Sequence, residues 1–86
     1  MNMEKDKAPV YFNEYELDLL QRLSLKEELT FINETNVTIT DSFYYKYKME
    51  FTEKEMSMIM FAANKNEEFK CLKPKLQTVG ESNFGW

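Results

Sequence analysis

The sequence contains no histidine, only two glycines and a single cysteine, and each shortage excludes a class of protein. Without imidazole there is no usual general base, no Ser-His or Cys-His nucleophile pair and no zinc site that needs histidine. Gly80 and Gly85 both lie near the C-terminus, so a phosphate-binding P-loop and a dinucleotide fingerprint are missing. Cys71 has no second cysteine to pair with, which excludes a disulfide-stapled scaffold. We therefore expect a protein that is not an enzyme and that uses no cofactor or metal.

Long apolar runs and a basic charge balance are missing as well. No run approaches the ~20 apolar residues of a membrane span, and no apolar segment follows the charged start of the chain, so we expect a cytoplasmic location. The net charge is −4, and residues 1–43 carry four basic against nine acidic side chains. Sequence-independent binding of nucleic acid needs lysine and arginine to neutralise phosphates, so an acidic chain is a better candidate for docking on a basic surface.

The composition that is present indicates one small folded domain. The chain has 86 residues, of which 43% are hydrophobic and 15% aromatic, enough for a single modest core. Lysine, asparagine, phenylalanine and tyrosine are plentiful, a bias typical of AT-rich genomes, and it favours a low-GC bacterium, or a phage or mobile element living in one, as the source. We expect residues 1–9 to be a flexible tail, residues 10–77 to form the domain, and residues 78–86 to be a second flexible tail with an aromatic end.

Two capping boxes predict the two main helices. Asn13 is followed three residues later by Glu16, and leucines at helical spacing then predict a helix over residues 14–25. Thr52 and Glu55 repeat the arrangement ahead of a second apolar pattern, which predicts a helix over residues 53–64.

Alternating apolar and polar residues predict the strands between these helices. The alternation is clearest over residues 43–51 and is also present over 37–40, with a tight hairpin turn at Asp41 and Ser42. Residues 29–32 are interpreted as a third strand of the same antiparallel meander, with the tail of the first helix as the alternative. A short helix after Asn66 should end at Pro74. The predicted fold class is thus α+β, with one long and one short C-terminal helix on one face of the sheet.

The predicted second helix carries apolar side chains on two sides. Met58 and Phe61, together with Lys54, lie opposite the stripe that should face the core. This second face is either covered by residues 65–77 or presented to a partner. The Met-x-Met-x-Met spacing at residues 56–60 is interpreted as core filling, because a helix points Met58 away from Met60.

Other candidate binding residues lie elsewhere in the chain. Phe84 and Trp86 end the predicted tail, where they either fold back on the core or anchor another protein. Glu14 and Asp18 lie on the polar side of the acidic first helix. The leading hypothesis is a protein-binding module, an inhibitor or regulator of a host protein, with a homo-oligomer that pairs through Met58 and Phe61 as one version.

A nucleic-acid-associated regulator is the alternative function. It would use Tyr44, Lys46 and Lys48 on the outer face of the long predicted strand, where an aromatic ring and two cations could stack a base and contact phosphate. A solvated strand face is the competing interpretation of the same residues.

Overall fold

The structure is a computed structural model that describes residues 7–86. Its elements follow the chain as β1 (Lys7–Phe12), α1 (Glu14–Lys26), α2 (Thr30–Glu34), β2 (Thr38–Ile39), β3 (Tyr47–Thr52), α3 (Glu53–Lys65), a 3-10 helix (Glu67–Leu72) and α4 (Lys73–Phe84). The predicted α+β class is confirmed, as a three-stranded antiparallel sheet with four α-helices.

The strand order is β1-β3-β2, so the sheet differs from the predicted meander. The strand β1 pairs with β3 from Lys7↔Thr52 to Phe12↔Tyr47, although residues 7–9 were assigned to a tail. The rest of that predicted tail, residues 1–6, lies outside the described residues. The strand was missed because it contains Pro9, but proline is tolerated at the edge of a sheet, where β1 lies.

The hairpin between β2 and β3 is confirmed, but it is wider than the predicted two-residue turn. The register pairs Thr38 with Lys48 and Ile39 with Tyr47, which leaves residues 40–46 as the loop. The Thr40 N–H donates to the Lys46 carbonyl at 2.7 Å, and the Tyr45 N–H donates to the Ser42 hydroxyl at 3.0 Å. Because these bonds hold the loop, residues 43–46 leave the strand that their alternation predicted.

The helices α1 and α3 confirm the two capping-box predictions. The Asn13 side chain accepts from the Glu16 N–H at 2.7 Å, and the Glu16 carboxylate accepts in return from the Asn13 N–H at 3.0 Å. Thr52 and Glu55 exchange the same two bonds at 3.1 and 2.9 Å. Each helix therefore begins where a side chain satisfies backbone donors that have no partner within the helix.

The predicted third strand at residues 29–32 is wrong, because Leu29 precedes α2 and residues 30–32 belong to it. The alternative, a tail of the first helix, is wrong as well, because α1 ends at Lys26. Glu28 adopts a left-handed conformation, with φ 57°, and the Leu29 N–H then donates back to the Ser24 carbonyl at 2.9 Å. This arrangement ends α1 in the manner of a Schellman motif. A helical turn then directs Leu29 and Ile32 into the core, where both are buried.

The C-terminal tail prediction is also wrong, because residues 73–84 form α4. The predicted short helix after Asn66 is present as the 3-10 helix, which ends at Leu72. Pro74 then lies in the first turn of α4, where the missing N–H of proline costs nothing, so a further helix begins where the sequence predicted an end. Gly85 ends α4 with φ 74°. Trp86 then folds back over Gly80, and its backbone N–H donates to the Gly80 carbonyl at 3.3 Å.

The core lies between one face of the sheet and the helices. Alternate residues of β1 (Ala8, Val10, Phe12) and β3 (Met49, Phe51) face it and are buried. The helices and the 3-10 helix contribute the remaining buried side chains, which include Leu20, Leu23, Met56, Ile59, Phe69, Leu72 and Leu76. No buried side-chain nitrogen or oxygen among residues 7–86 lacks a hydrogen-bond partner. None of the helices in this part of the chain is long and apolar enough to cross a membrane.

Candidate protein-binding surface on α3

The helix α3 places apolar side chains on two opposite sides, as the sequence predicts. Met56, Ile59 and Ala63 are buried in the core. Met58 and Phe61 face outward, and 40% and 70% of their surfaces remain exposed. The 3-10 helix and the start of α4 do not cover them, because Phe69 and Leu72 point into the core. Of the two sequence alternatives for this face, burial under residues 65–77 is wrong.

Lysines lie at both ends of this outward face. Lys54, Met58, Phe61 and Lys65 occupy positions i, i+4, i+7 and i+11 of one helix, so at 100° per residue they fall within an arc of about 60°. We call these four residues the α3 stripe. The Lys65 ammonium lies 5.3 Å from the centre of the Phe61 ring and 3.1 Å from the Glu27 carboxylate. The stripe is therefore an apolar centre between two cations.

Shallow grooves run along both sides of Phe61. One groove is lined by Ser57, Met60, Phe61, Asn64, Lys73 and Trp86. The other is lined by Glu27, Leu29, Lys54, Ser57, Met58, Phe61, Ala62 and Lys65. Phe61 thus forms a ridge between two mainly apolar depressions. Leu29, Lys65 and Lys73 were missed by the sequence analysis, although the spacing of Lys65 from Lys54 was visible in the helical pattern.

The C-terminal aromatics fold back on the domain and do not form a free anchor. Phe84 and Trp86 are partly buried against the core, with their ring centres 6.2 Å apart. The Trp86 indole N–H donates to the Glu53 carboxylate at 3.0 Å, at the start of α3. Trp86 is therefore held in place, and it lines the groove on one side of Phe61.

Glu27 contacts two residues at the C-terminal end of α3, Lys65 and Asn66. Its carboxylate accepts a hydrogen bond from the Asn66 amide at 3.0 Å, and it also accepts one from Lys65. The Asn66 hydrogen bond and then the Lys65 ammonium hold the pKa of Glu27 below its ordinary value of 4.5. Glu27 is consequently charged at neutral pH.

The remaining predicted residues lie on other surfaces. Glu14 lines a groove beside the β2–β3 loop together with Tyr44 and Lys46. Asp18 forms an exposed ion pair with Arg22 at 3.0 Å, so its charge is locally balanced. Lys48 lines a different groove, and its ammonium nitrogen lies 3.7 Å from a carboxylate oxygen of Glu50. The three residues of the nucleic-acid alternative are therefore divided between two grooves, one of which also contains one glutamate and the other three.

An aromatic cluster at the β2–β3 loop was only partly anticipated. Phe43 is 99% exposed, and the Tyr44 ring packs edge-on against Tyr45 with their centres 4.6 Å apart. The Lys75 ammonium lies 4.1 Å from the centre of the Tyr45 ring and donates to the Tyr11 carbonyl at 2.8 Å. The alternation that predicted a longer strand concealed this loop.

Metal-binding geometry is not found in the described part of the chain. Within residues 7–86, no group of three or more cysteine, aspartate or glutamate side chains is arranged to hold a metal ion. Cys71 is exposed, and its thiol forms no disulfide bond.

No family model, no curated protein and no solved structure matches this chain.

Proposed function

We propose that this protein is a non-enzymatic protein-binding domain that engages its partner through the outward face of α3. The observation that carries the proposal is the exposure of Met58 and Phe61 beside a core that closes without them. Full burial of a Met or Phe side chain is worth roughly 1.5–3 kcal/mol, which the isolated domain does not gain at these positions. A partner that covers the α3 stripe would recover part of this energy.

The surface has the features of a binding site beyond the two exposed side chains. Single exposed apolar residues are common on protein surfaces, but here two adjoin each other on a rigid helix and are flanked by grooves. An aromatic ridge on regular structure can enter a pocket of a partner with little loss of conformational entropy. We further propose that the partner is a host protein and that this domain inhibits or regulates it.

Capture of a partner from host lysate with matched variants tests the proposal. Met58→Lys with Phe61→Glu should leave the fold intact, because both side chains are exposed, and should abolish capture. Ile39→Lys with Phe43→Glu is the matched control, since these apolar side chains are 68% and 99% exposed on the β2–β3 hairpin. Circular dichroism reports whether each variant is folded.

The two pairs of substitutions lead to opposite conclusions. Loss of the captured protein only with the α3 pair supports the proposal. Loss only with the hairpin pair would move the binding site to the aromatic loop and would contradict it. Unfolding by the α3 pair would show that Met58 and Phe61 contribute to the core, and it would contradict the proposal.

A further inference from the structure

The charged residues around the α3 stripe indicate which charge a partner has to carry. The two grooves are lined by three lysines and one glutamate, whereas the whole chain has a net charge of −4. The charge of the protein is thus reversed locally where its apolar face is exposed. An occupant of this surface has to provide apolar side chains at its centre and negative charge at its ends.

Two of the three lysines have no carboxylate partner among residues 7–86. Lys54 makes none of the ion pairs or hydrogen bonds found among residues 7–86, and Lys73 donates to the neutral Asn64 amide oxygen at 2.6 Å. Lys65 is paired with Glu27, but an ammonium has three N–H donors and can bind a second carboxylate. Glu27 itself already accepts from Lys65 and Asn66.

A second copy of the chain is a poor occupant because the α3 stripe is symmetric about its own centre. An antiparallel pairing that sets Met58 against Phe61 of the second copy sets Lys54 against the other Lys65. A parallel pairing in register sets each lysine against its equivalent. Lysines are therefore opposed in both arrangements, and only Lys65 has a neighbouring carboxylate, Glu27, to offset the repulsion, so self-association is weakened.

The geometry of the stripe fits a helix. Lys54 and Lys65 are eleven residues apart, which is about 16 Å along the helix axis. A partner helix with carboxylates at i and i+11 and large apolar residues at i+4 and i+7 matches every position of the stripe. Because this pattern is also symmetric, it matches in either direction. Docking of an amphipathic helix along apolar grooves is an established mode of recognition.

On the basis of the proposed function, we infer that the α3 stripe binds an acidic amphipathic helix of its partner, with two carboxylates flanking two apolar residues. Phe61 would enter between the apolar residues of that helix, and Lys54 and Lys65 would each contact one carboxylate. The apolar contacts supply most of the affinity, and the lysines select the partner and its register.

The test uses two synthetic peptides of about 20 residues, alanine-rich so that they are helical alone. The acidic peptide carries Glu, Leu, Leu and Glu at i, i+4, i+7 and i+11, and the basic peptide carries Lys in place of both Glu. Each is labelled with a fluorophore and titrated with the full chain at low salt. The protein variants are Lys54→Glu alone and Lys54→Glu with Lys65→Glu, both checked for folding by circular dichroism.

We expect the acidic peptide to bind the wild-type protein about tenfold more tightly than the basic peptide, and the double variant to reverse this preference. Replacing one exposed attraction by a repulsion should change the affinity about threefold, and two such changes together about tenfold, so Lys54→Glu alone should give an intermediate result. Equal binding of both peptides, preference for the basic one, or no saturable binding of either would overturn the inference.

Failure of this inference is distinguishable from failure of the proposed function. If capture from lysate depends on Met58 and Phe61 but the peptides show no charge preference, the α3 face binds a partner of another kind. If the α3 pair of substitutions leaves capture unchanged, the proposed function fails as well. Light scattering of the wild-type protein identifies a second copy as the occupant if the mass doubles with concentration.

Discussion

Replacement of Gly80 by alanine tests how the C-terminus is attached to the domain. Gly80 is buried in α4 beneath the ring of Trp86. A Cβ atom at this position would lie 2.6 Å from Cζ3 of Trp86 and closer still to Cε3 and Cδ2. Because ordinary contact begins at 3.4 Å, Cζ3 has to withdraw by 0.8 Å, and the two nearer ring atoms have to withdraw further. It is held there by Gly85, which turns the chain back, and by its bond to Glu53.

Two opposing contributions set the size of the effect. Alanine in place of glycine inside a helix stabilises the helix by about 1 kcal/mol. Displacement of Trp86 should cost about 2–3 kcal/mol, less than the 3–5 kcal/mol of a fully buried aromatic residue, because Trp86 keeps part of its surface exposed. Gly80→Ala should therefore destabilise the protein by about 1–2 kcal/mol. In a Trp86→Ala background the same substitution should stabilise it by up to about 1 kcal/mol.

Urea unfolding followed by circular dichroism measures this reversal of sign in four proteins: wild type, both single variants and the double variant. The fluorescence of Trp86, the sole tryptophan of the chain, should shift to the red in Gly80→Ala as the ring enters water. An equal cost of Gly80→Ala in both backgrounds would refute the reasoning, since it would show that Trp86 does not pack on Gly80.

Three further predictions concern the ends of α1 and α3. Thr52→Ala removes the side chain that caps α3 and should cost about 1 kcal/mol, measured by urea unfolding; no cost would contradict the capping box. Glu28→Gly should raise the melting temperature by a few degrees, because glycine adopts its positive φ without strain, and a lower temperature would contradict this. Hydrogen bonding from Asn66 and the charge of Lys65 lower the pKa of Glu27 in the folded state, so their stabilisation is present above pH 4.5 and is lost as the pH falls through the lowered value. The stability difference between wild type and Asn66→Ala should shrink between pH 6 and pH 3, and a constant difference would argue against this contact.

The helices were predictable from sequence because their start signals are local. In α1 and α3 the cap, the acidic residue three positions later and the apolar periodicity all lie within one stretch of chain. The exposure of Met58 and Phe61 was predictable as one of two alternatives, since the periodicity identifies two faces but not which of them is covered.

The elements that sequence analysis missed depend on contacts distant in the chain. The strand β1 exists because it pairs with β3, about forty residues later, and Pro9 obscured its alternation. Gly80 and Gly85 were interpreted as signs of a tail, but one makes room for the Trp86 ring and the other turns the chain that carries it. Nothing local to α4 indicates that contact.

The residues of the candidate site also differ in whether the sequence could identify them. Lys54, Met58 and Phe61 were identified from one helix. Leu29 and Lys73 line the grooves although they lie outside α3, just before α2 and at the start of α4, and Trp86 becomes a groove wall because it bonds to Glu53. Neighbours supplied by tertiary packing could not be read from the sequence.

The most direct measurement of the central claim is oxidative footprinting of the protein alone and in complex with a captured partner. Hydroxyl radicals oxidise exposed methionine and aromatic side chains, so Met58, Phe61 and Phe43 should all react in the free protein. Binding through α3 predicts that Met58 and Phe61 become protected in the complex while Phe43 reacts as before. Protection of Phe43 with unchanged oxidation of Met58 and Phe61 would contradict the account.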